Sequence, residues 1–315
     1  MKRLAALIGF VLFIGSTTYA DIPNVAADLP KLSRSSVWTP LSNFKLQFPS
    51  FHPQGMVKVG DIYYMSSVEI LEATQRYPQV QNGLDRSAGK GRAHLFKFDN
   101  TGKLLADIIL AAGEGDVYHP GGLDFDGRYV YVPVAEYRPD SNTILYKVDV
   151  TTDKATEVLR YRDHLGGVVV DLTGKKLHLI SWGARRWYSW PLDARGNPAT
   201  TMTQMRPNPM SYIDYQDCHH LEAKLSLCSG VAYLTGHPSK TIFGLGGLEV
   251  VNFNTGRVLA GFPVPLWESV PASASQPTNL AMTTNPFTVW NDQGTLTFAF
   301  APHDDETTVY LYSVK

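Results

Sequence analysis

The chain lacks the features that identify several common classes of enzyme. Gly-x-Ser-x-Gly, His-Glu-x-x-His and Cys-x-x-Cys are all absent, which disfavours a serine hydrolase, a zincin protease and a thiol oxidoreductase. The net charge is only −1 at pH 7, so neither nucleic acid nor an anionic membrane surface is indicated as a partner. No helical periodicity of useful length follows residue 20. These absences leave an all-β protein that acts on a small molecule or binds one.

Residues 1–20 predict a secretory signal peptide. Lys2 and Arg3 precede a short apolar run, Leu4–Ile14, and Thr18-Tyr-Ala20 forms a small-x-small cleavage site. No Cys lies near that site, and no later apolar run is long enough to span a bilayer. We therefore expect a periplasmic or secreted protein without a membrane anchor. Residues 21–42 form an N-terminal extension, and residues 43–315 form one domain.

Only two cysteines occur, Cys218 and Cys228. An oxidising compartment favours a disulfide between them. The alternative is a pair of free thiols close to His219.

A five-residue pattern recurs along the chain at intervals of 45 to 67 residues. Its copies are His52-Pro-Gln-Gly-Met56, His119-Pro-Gly-Gly-Leu123, His164-Leu-Gly-Gly-Val168, Asp217-Cys-His-His-Leu221 and Gln276-Pro-Thr-Asn-Leu280. A tight turn and an apolar strand follow each copy: Ile62–Met65, Tyr129–Val134, Lys176–Ile180, Val231–Leu234 and Leu296–Phe300. Such repetition of short strands is typical of a β-propeller. We predict five blades, with six as the alternative.

The two ends of the domain predict how the ring closes. Thr308–Lys315 reads as the third strand of the fifth repeat, and no fourth strand follows. Asn43–Phe48 is a strand that belongs to no complete repeat. We expect these two segments to pair, which would remove the free edges of the sheet.

The first residue of each copy should line the central channel at one height. A metal site of His52, His119, His164 and Asp217 would suit Zn²⁺, Mn²⁺ or Fe²⁺ better than calcium. The structural alternative is that these side chains only join neighbouring blades by hydrogen bonds.

A second polar ring is predicted where the second strand of each repeat ends. It consists of Glu69, Glu136, Arg185, His237 and His303. Carboxylates, imidazoles and a guanidinium can perform acid–base work and bind anions. For the two glutamates and the arginine, buried ion pairs are an equal alternative.

Four strings carry a resemblance to known proteins. They are His119-Pro-Gly-Gly-Leu-Asp-Phe-Asp-Gly127, Val132-Pro-Val-Ala-Glu-Tyr-Arg138, Asp163-His-Leu-Gly-Gly167 and Ser181-Trp-Gly-Ala-Arg-Arg186. From about Phe51 onwards the chain resembles a family of exported proteins whose function is unknown. More remotely it is similar to the gluconolactonase and strictosidine-synthase propellers, which use Glu, Asn and Asp calcium ligands in six blades. Phe51-His-Pro-Gln-Gly-Met56 also resembles the repeat entry of the plant-type glutaminyl cyclases, although their Glu-Gly-Trp-Gly-type motif is missing.

Together these features predict a monomeric, metal-dependent hydrolase that resembles a lactonase or esterase and acts on a small molecule. In that hypothesis Glu69 or Glu136 is the general base, and Arg185 with His237 or His303 holds the oxyanion. The alternative is a non-catalytic propeller that binds a ligand, a sugar or a protein partner.

Overall fold

The computed structural model describes residues 26, 29, 32–113, 115–208, 210–222, 224–270, 277–292 and 294–315. The predicted signal peptide, residues 1–20, and Gln276 lie outside the described residues. Among the described residues no helix is long and apolar enough to cross a membrane.

The chain forms a five-bladed β-propeller, as the repeat predicts. Strand β1 (Trp38–Lys45) precedes the first blade, which consists of β2 (His52–Val59), β3 (Ile62–Glu72), β6 (Lys90–Asp99) and β7 (Leu104–Ala112). Between β3 and β6 the chain makes a separate hairpin, β4 (Arg76–Gln81) and β5 (Leu84–Arg86). The second blade consists of β8 (Val117–Pro120), β9 (Asp124–Phe125), β10 (Tyr129–Glu136), β11 (Thr143–Asp149) and β12 (Lys154–Tyr161).

The remaining blades follow in the same order along the chain. The third consists of β13 (Leu165–Asp171), β14 (Lys176–Ser181), β15 (Arg186–Pro191) and β16 (Gln204–Pro207), with a 3₁₀ turn at Trp182–Ala184. The fourth consists of β17 (Asp214–His220), β18 (Ser226–Thr235), β19 (Ile242–Asn252) and β20 (Arg257–Pro263). A hairpin of β21 (Trp267–Ser269) and β22 (Asn279–Ala281) leads to β23 (Phe287–Asp292), β24 (Thr295–Phe300) and β25 (Thr308–Val314) of the fifth blade.

The N-terminal strand joins the last blade. Strand β1 pairs antiparallel with β25, from Trp38 opposite Val314 to Lys45 opposite Thr308. Strand β1 begins earlier than the predicted Asn43–Phe48 and shares only residues 43–45 with it. Its pairing with the last strand is consistent with closure of the ring by the N-terminal strand.

The inner strand of the fifth blade differs from the sequence prediction, which placed it directly after Gln276. The inner strand is β23, which pairs with β24. The segment after Gln276 instead docks on the fourth blade, because the Asn279 amide donates to the Gly244 carbonyl at 2.8 Å and accepts from the Gly244 N–H at 2.7 Å. A side chain that hydrogen-bonds to the backbone of a strand in this way leaves no periodic pattern in the sequence.

The hydrophobic core lies between blades. Trp187 and Trp190 are fully buried in it. Cys218 and Cys228 face each other across β17 and β18 and form the predicted disulfide. The bond fixes the first hairpin of the fourth blade beside the central channel.

Candidate functional site

The inner strands approach one another closely because glycines line the channel. A Cβ atom on Gly55 would lie 2.5 Å from the Leu123 amide nitrogen, and one on Gly122 would lie 2.7 Å from the Gln216 carbonyl oxygen. Strands of neighbouring blades can therefore meet backbone to backbone only at glycine. This packing places the polar residues at the strand entries around a narrow opening.

In three blades a β-bulge fixes where the residue at the start of the inner strand lies along the channel axis. One extra residue interrupts the inner strand at Gln54, Gly166 and Gln216. His52 and His164 lie two residues before their bulges, and so does Asp214. Asp214 therefore occupies the ring position in the fourth blade that the sequence motif gave to Asp217.

Three histidines meet at the entrance of the channel. The ring centroids of His52 and His119 are 6.3 Å apart, and those of His119 and His164 are 6.0 Å apart. His119 also stacks on Tyr137 with a centroid distance of 4.2 Å. The three imidazoles thus form one contiguous group, as the repeat predicts.

Hydrogen bonds orient two of the three rings. The His164 Nδ1–H donates to the Glu136 carbonyl oxygen at 2.6 Å. His52 Nδ1 lies 2.8 Å from Asp304 Oδ1, a carboxylate oxygen that also accepts from the Asn285 amide at 3.0 Å. An imidazole that donates from Nδ1 keeps a lone pair on Nε2, and this arrangement is typical of metal-ligating histidines.

His119 differs from its two neighbours because neither ring nitrogen has a hydrogen-bond partner, although both are buried. Burial, and then the proximity of His164 and His52, hold the pKa of His119 well below its ordinary value. Burial also lowers the pKa of His164, to about 4. Both rings are therefore neutral at pH 7 and available as electron-pair donors.

The histidines line a cavity of about 270 Å³. Its aromatic lining includes Tyr137, Trp182 and Tyr233 besides Tyr215, and the described residues that line it include no Lys or Arg. Trp182 packs edge-on against His164 with a centroid distance of 4.7 Å. On Trp182 the Arg86 guanidinium lies 5.2 Å from the ring centroid, so the β4–β5 hairpin of the first blade contacts the wall of the cavity.

Asp214 is the half-exposed carboxylate at the cavity. Its Oδ1 accepts a hydrogen bond from Arg185 at 2.7 Å, and its side chain is 46 % exposed. An accessible carboxylate held by a guanidinium can accept a proton from a bound reactant.

Asp217 lies deeper, and its oxygens are engaged by the backbone. Oδ2 accepts from the Met56 N–H at 2.9 Å, while Oδ1 accepts from the N–H groups of Leu123 and Cys218 at 3.1 Å each. These bonds tie the fourth blade to the first and second. Burial raises the pKa of Asp217, against the nearby His219 and the amides that lower it.

His219 extends this network along the channel. Its Nε2–H donates to the Phe287 carbonyl oxygen at 2.9 Å and lies 3.5 Å from Asp217 Oδ2, while Nδ1 lies 3.7 Å from Asp124 Oδ1. Burial lowers the pKa of His219, but the two carboxylates outweigh burial and raise it. The deeper part of the channel is a fully connected polar network that joins blades.

The five predicted catalytic residues do not line the 270 Å³ cavity. Glu69 pairs with Arg92 at 2.9 Å, and Arg185 reaches the cavity only through Asp214. The Glu136 carboxylate pairs with Arg138 at 2.5 Å. His237 is exposed in the loop that follows β18, and His303 Nε2 lies 3.0 Å from Glu268.

Sequence reasoning missed the residues that complete the site: Asp214, Tyr137, Trp182, Tyr233 and Asn285. The sequence did contain one indication of the position of Asp214. Gln216 follows Asp214 by two positions, just as Gln54 follows His52.

Comparison with solved structures finds similar chains at very low sequence identity. The tail fibre of Staphylococcus aureus phage P68 is 9 % identical, with a TM-score of 0.49 over 92 % of this chain, which spans 56 % of the tail-fibre chain. A luciferin-regenerating enzyme is 9 % identical, with a TM-score of 0.48 over 89 % of this chain and 97 % of its own. Regucalcin from Agrobacterium tumefaciens, a calcium-binding protein, is 13 % identical, with a TM-score of 0.45 over 86 % of this chain and 94 % of its own.

No curated protein matches the sequence. A family model does match, over residues 11–315. The chain therefore belongs to DUF6454, a family of unknown function.

Proposed function

We propose that this protein is an exported, monomeric enzyme that hydrolyses a small ester or lactone, with a divalent transition metal held by His52, His119 and His164. The observation that carries the proposal is the unpartnered state of His119, whose two buried ring nitrogens make no hydrogen bond. Buried polar atoms usually have a partner. Among the described histidines His119 alone has both ring nitrogens buried and unpartnered, which supports a ligand or an ion there. The disulfide supports an oxidising, extracytoplasmic location.

The three histidines supply nitrogen ligands that a divalent transition metal accepts, and the spacing of their rings is close to what it requires. Among the described residues no group of three His, Cys, Asp or Glu side chains already lies at metal-binding separation. Two imidazoles on one Zn²⁺, each with Zn–N of 2.0–2.1 Å, have centroids roughly 5 Å apart. The observed 6.0 and 6.3 Å therefore require each pair of rings to approach by about an ångström. Side-chain rotation in a cavity can supply such a movement.

Each group at the cavity has a separate role in the proposed reaction. A bound divalent ion supplies a Lewis acid that polarises the carbonyl group of the substrate. Asp214 is the general base, which takes a proton from the attacking water and returns it to the leaving alcohol as the acyl C–O bond breaks. The sequence assigned this role to Glu69 or Glu136, but Asp214 lines the cavity and the two glutamates do not. The Tyr137 hydroxyl stays protonated, since burial raises its pKa, and donates a hydrogen bond to the developing oxyanion.

Metal analysis of the purified mature protein tests this function. We expect about one zinc, manganese or iron ion per chain, retained in His94→Gln and lost in His119→Ala. His94 is a suitable control because it is a buried histidine that pairs with Asp107 at 2.9 Å and does not line the cavity. A wild type that binds none of these metals from solution would contradict the proposal.

The second candidate is a non-catalytic binding propeller. The aromatic walls, Tyr137, Trp182 and Tyr233, favour it, because aromatic faces stack on rings and sugars without any chemistry. A metal-free protein that binds a small ligand in this cavity would support the binding module against the enzyme.

A further inference from the structure

A second cleft adjoins the central cavity. It has a volume of about 550 Å³ and shares four lining residues with the cavity, namely His52, Tyr233, Thr284 and Asn285. The two spaces are therefore adjacent, with the side chains of these four residues at their common border. A ligand whose reactive group lies beside the three histidines can extend into this cleft.

The wall of the cleft beyond the shared residues is largely apolar. Val270, Pro277 and Leu280 contribute to it from the segment between the fourth and fifth blades, and Pro302 from the loop between β24 and β25. Contact with such side chains removes apolar surface of a ligand from water, which is favourable in proportion to the area.

Several polar groups of the cleft are already paired within the protein, whereas His303 Nδ1 is buried without a partner. Asn279 bonds both backbone groups of Gly244, and His303 Nε2 lies 3.0 Å from Glu268 Oε2. Asp304 Oδ1 contacts His52 and the Asn285 amide. A polar ligand would have to compete with these bonds, whereas an alkyl chain leaves them intact.

We propose that this cleft binds an alkyl chain of the substrate, so that the substrate class is an ester or lactone with a medium-length acyl chain. The inference rests on the proposed function, because it takes the reacting carbonyl to lie beside His52, His119 and His164. The chain would run from the channel entrance past Tyr233 to Leu280.

Chain-length preference tests the inference. Wild-type protein should hydrolyse the p-nitrophenyl ester of octanoate with a kcat/KM at least about tenfold above that of the acetate ester. Leu280→Trp fills the cleft and should lower the ratio of the octanoate to the acetate kcat/KM about tenfold. Leu259→Trp is the matched control, because Leu259 is 53 % exposed on β20 and lines neither space. Equal preference in wild type and Leu280→Trp, or no preference in wild type, would overturn the inference.

A binding measurement separates this inference from the proposed function. NMR line broadening of octanol, with ethanol as reference, reports on the alkyl site without any turnover. Octanol should bind to wild type, Leu259→Trp and His119→Ala, and should be lost in Leu280→Trp. If no ester is hydrolysed but this pattern holds, the hydrolase proposal fails and the alkyl cleft stands. If octanol binds wild type and Leu280→Trp equally, or binds neither, the cleft proposal is wrong even where the esters are hydrolysed.

Discussion

His119 shows how the environment of a residue, rather than its type, defines the site. Its neighbours His52 and His164 each use Nδ1 in a hydrogen bond, whereas His119 has no partner on either nitrogen. The sequence could predict that the three rings converge, because they share one position in a repeat. It could not predict their partners, since the Glu136 carbonyl and the Asp304 carboxylate come from other blades or distant loops. The metal hypothesis depends on this difference in hydrogen bonding between His119 and its two neighbours.

Asp217 gives a prediction at the same scale. Replacement by Ala removes the acceptor for the Met56 and Leu123 N–H groups and leaves them buried and unpaired. We expect the free energy of unfolding in urea to fall by about 1–3 kcal/mol. Asp61→Ala, in an exposed turn of the first blade, should change it little. Equal stability of Asp217→Ala and wild type would show that the inter-blade bonds do not hold the channel together.

The bulges of the inner strands explain why the sequence predicted the blades but misplaced one ring residue. The recurring Gly and apolar residues identify the strands, and β2, β13 and β17 all appear as inner strands. A bulge inserts one residue without a fixed sequence signature, so the motif aligned Asp217 with the histidines although the register gives that position to Asp214. The inner strand of the fifth blade was misplaced for a related reason, because the β21–β22 hairpin carries strand-like residues outside the ring.

The turn between β11 and β12 gives a pH-dependent prediction at the scale of an element. The Asp149 carboxylate accepts from the Thr151 hydroxyl and N–H, and with Arg128 these bonds lower its pKa to about 2. A carboxyl whose pKa is depressed in the folded state adds stability above its unfolded pKa of about 4, and this contribution is lost as the pH falls towards 2. We therefore expect the difference in unfolding free energy between wild type and Asp149→Asn to shrink from pH 4 to pH 2. A difference that stays constant over this range would contradict the assignment.

The fifth blade combines strands from both ends of the chain, so the stability of the whole molecule should depend on the N-terminus. Removal of residues up to Gln47 deletes β1 and exposes the edge of β25. It also removes Leu46, which is buried in the core between the first and fifth blades. We expect a cooperative loss of stability, seen as a lower melting temperature for the entire domain. Removal of residues up to Ala20, the predicted signal peptide, leaves β1 and the buried Leu29 and Leu32 in place and serves as the control. Melting unchanged by the longer deletion would show that closure does not need this strand.

Thermal melting with and without a chelator tests the central claim, that the three-histidine group binds a metal, most directly. A metal that binds only the folded protein stabilises it by mass action, so a chelator should lower the melting temperature of wild type. His119→Ala loses one metal-ligating nitrogen but no hydrogen bond. Its melting temperature should therefore be close to that of wild type with chelator and should not change when the chelator is added. A wild type that is indifferent to the chelator, beside a strongly destabilised His119→Ala, would show that His119 only supports the fold and would contradict the account.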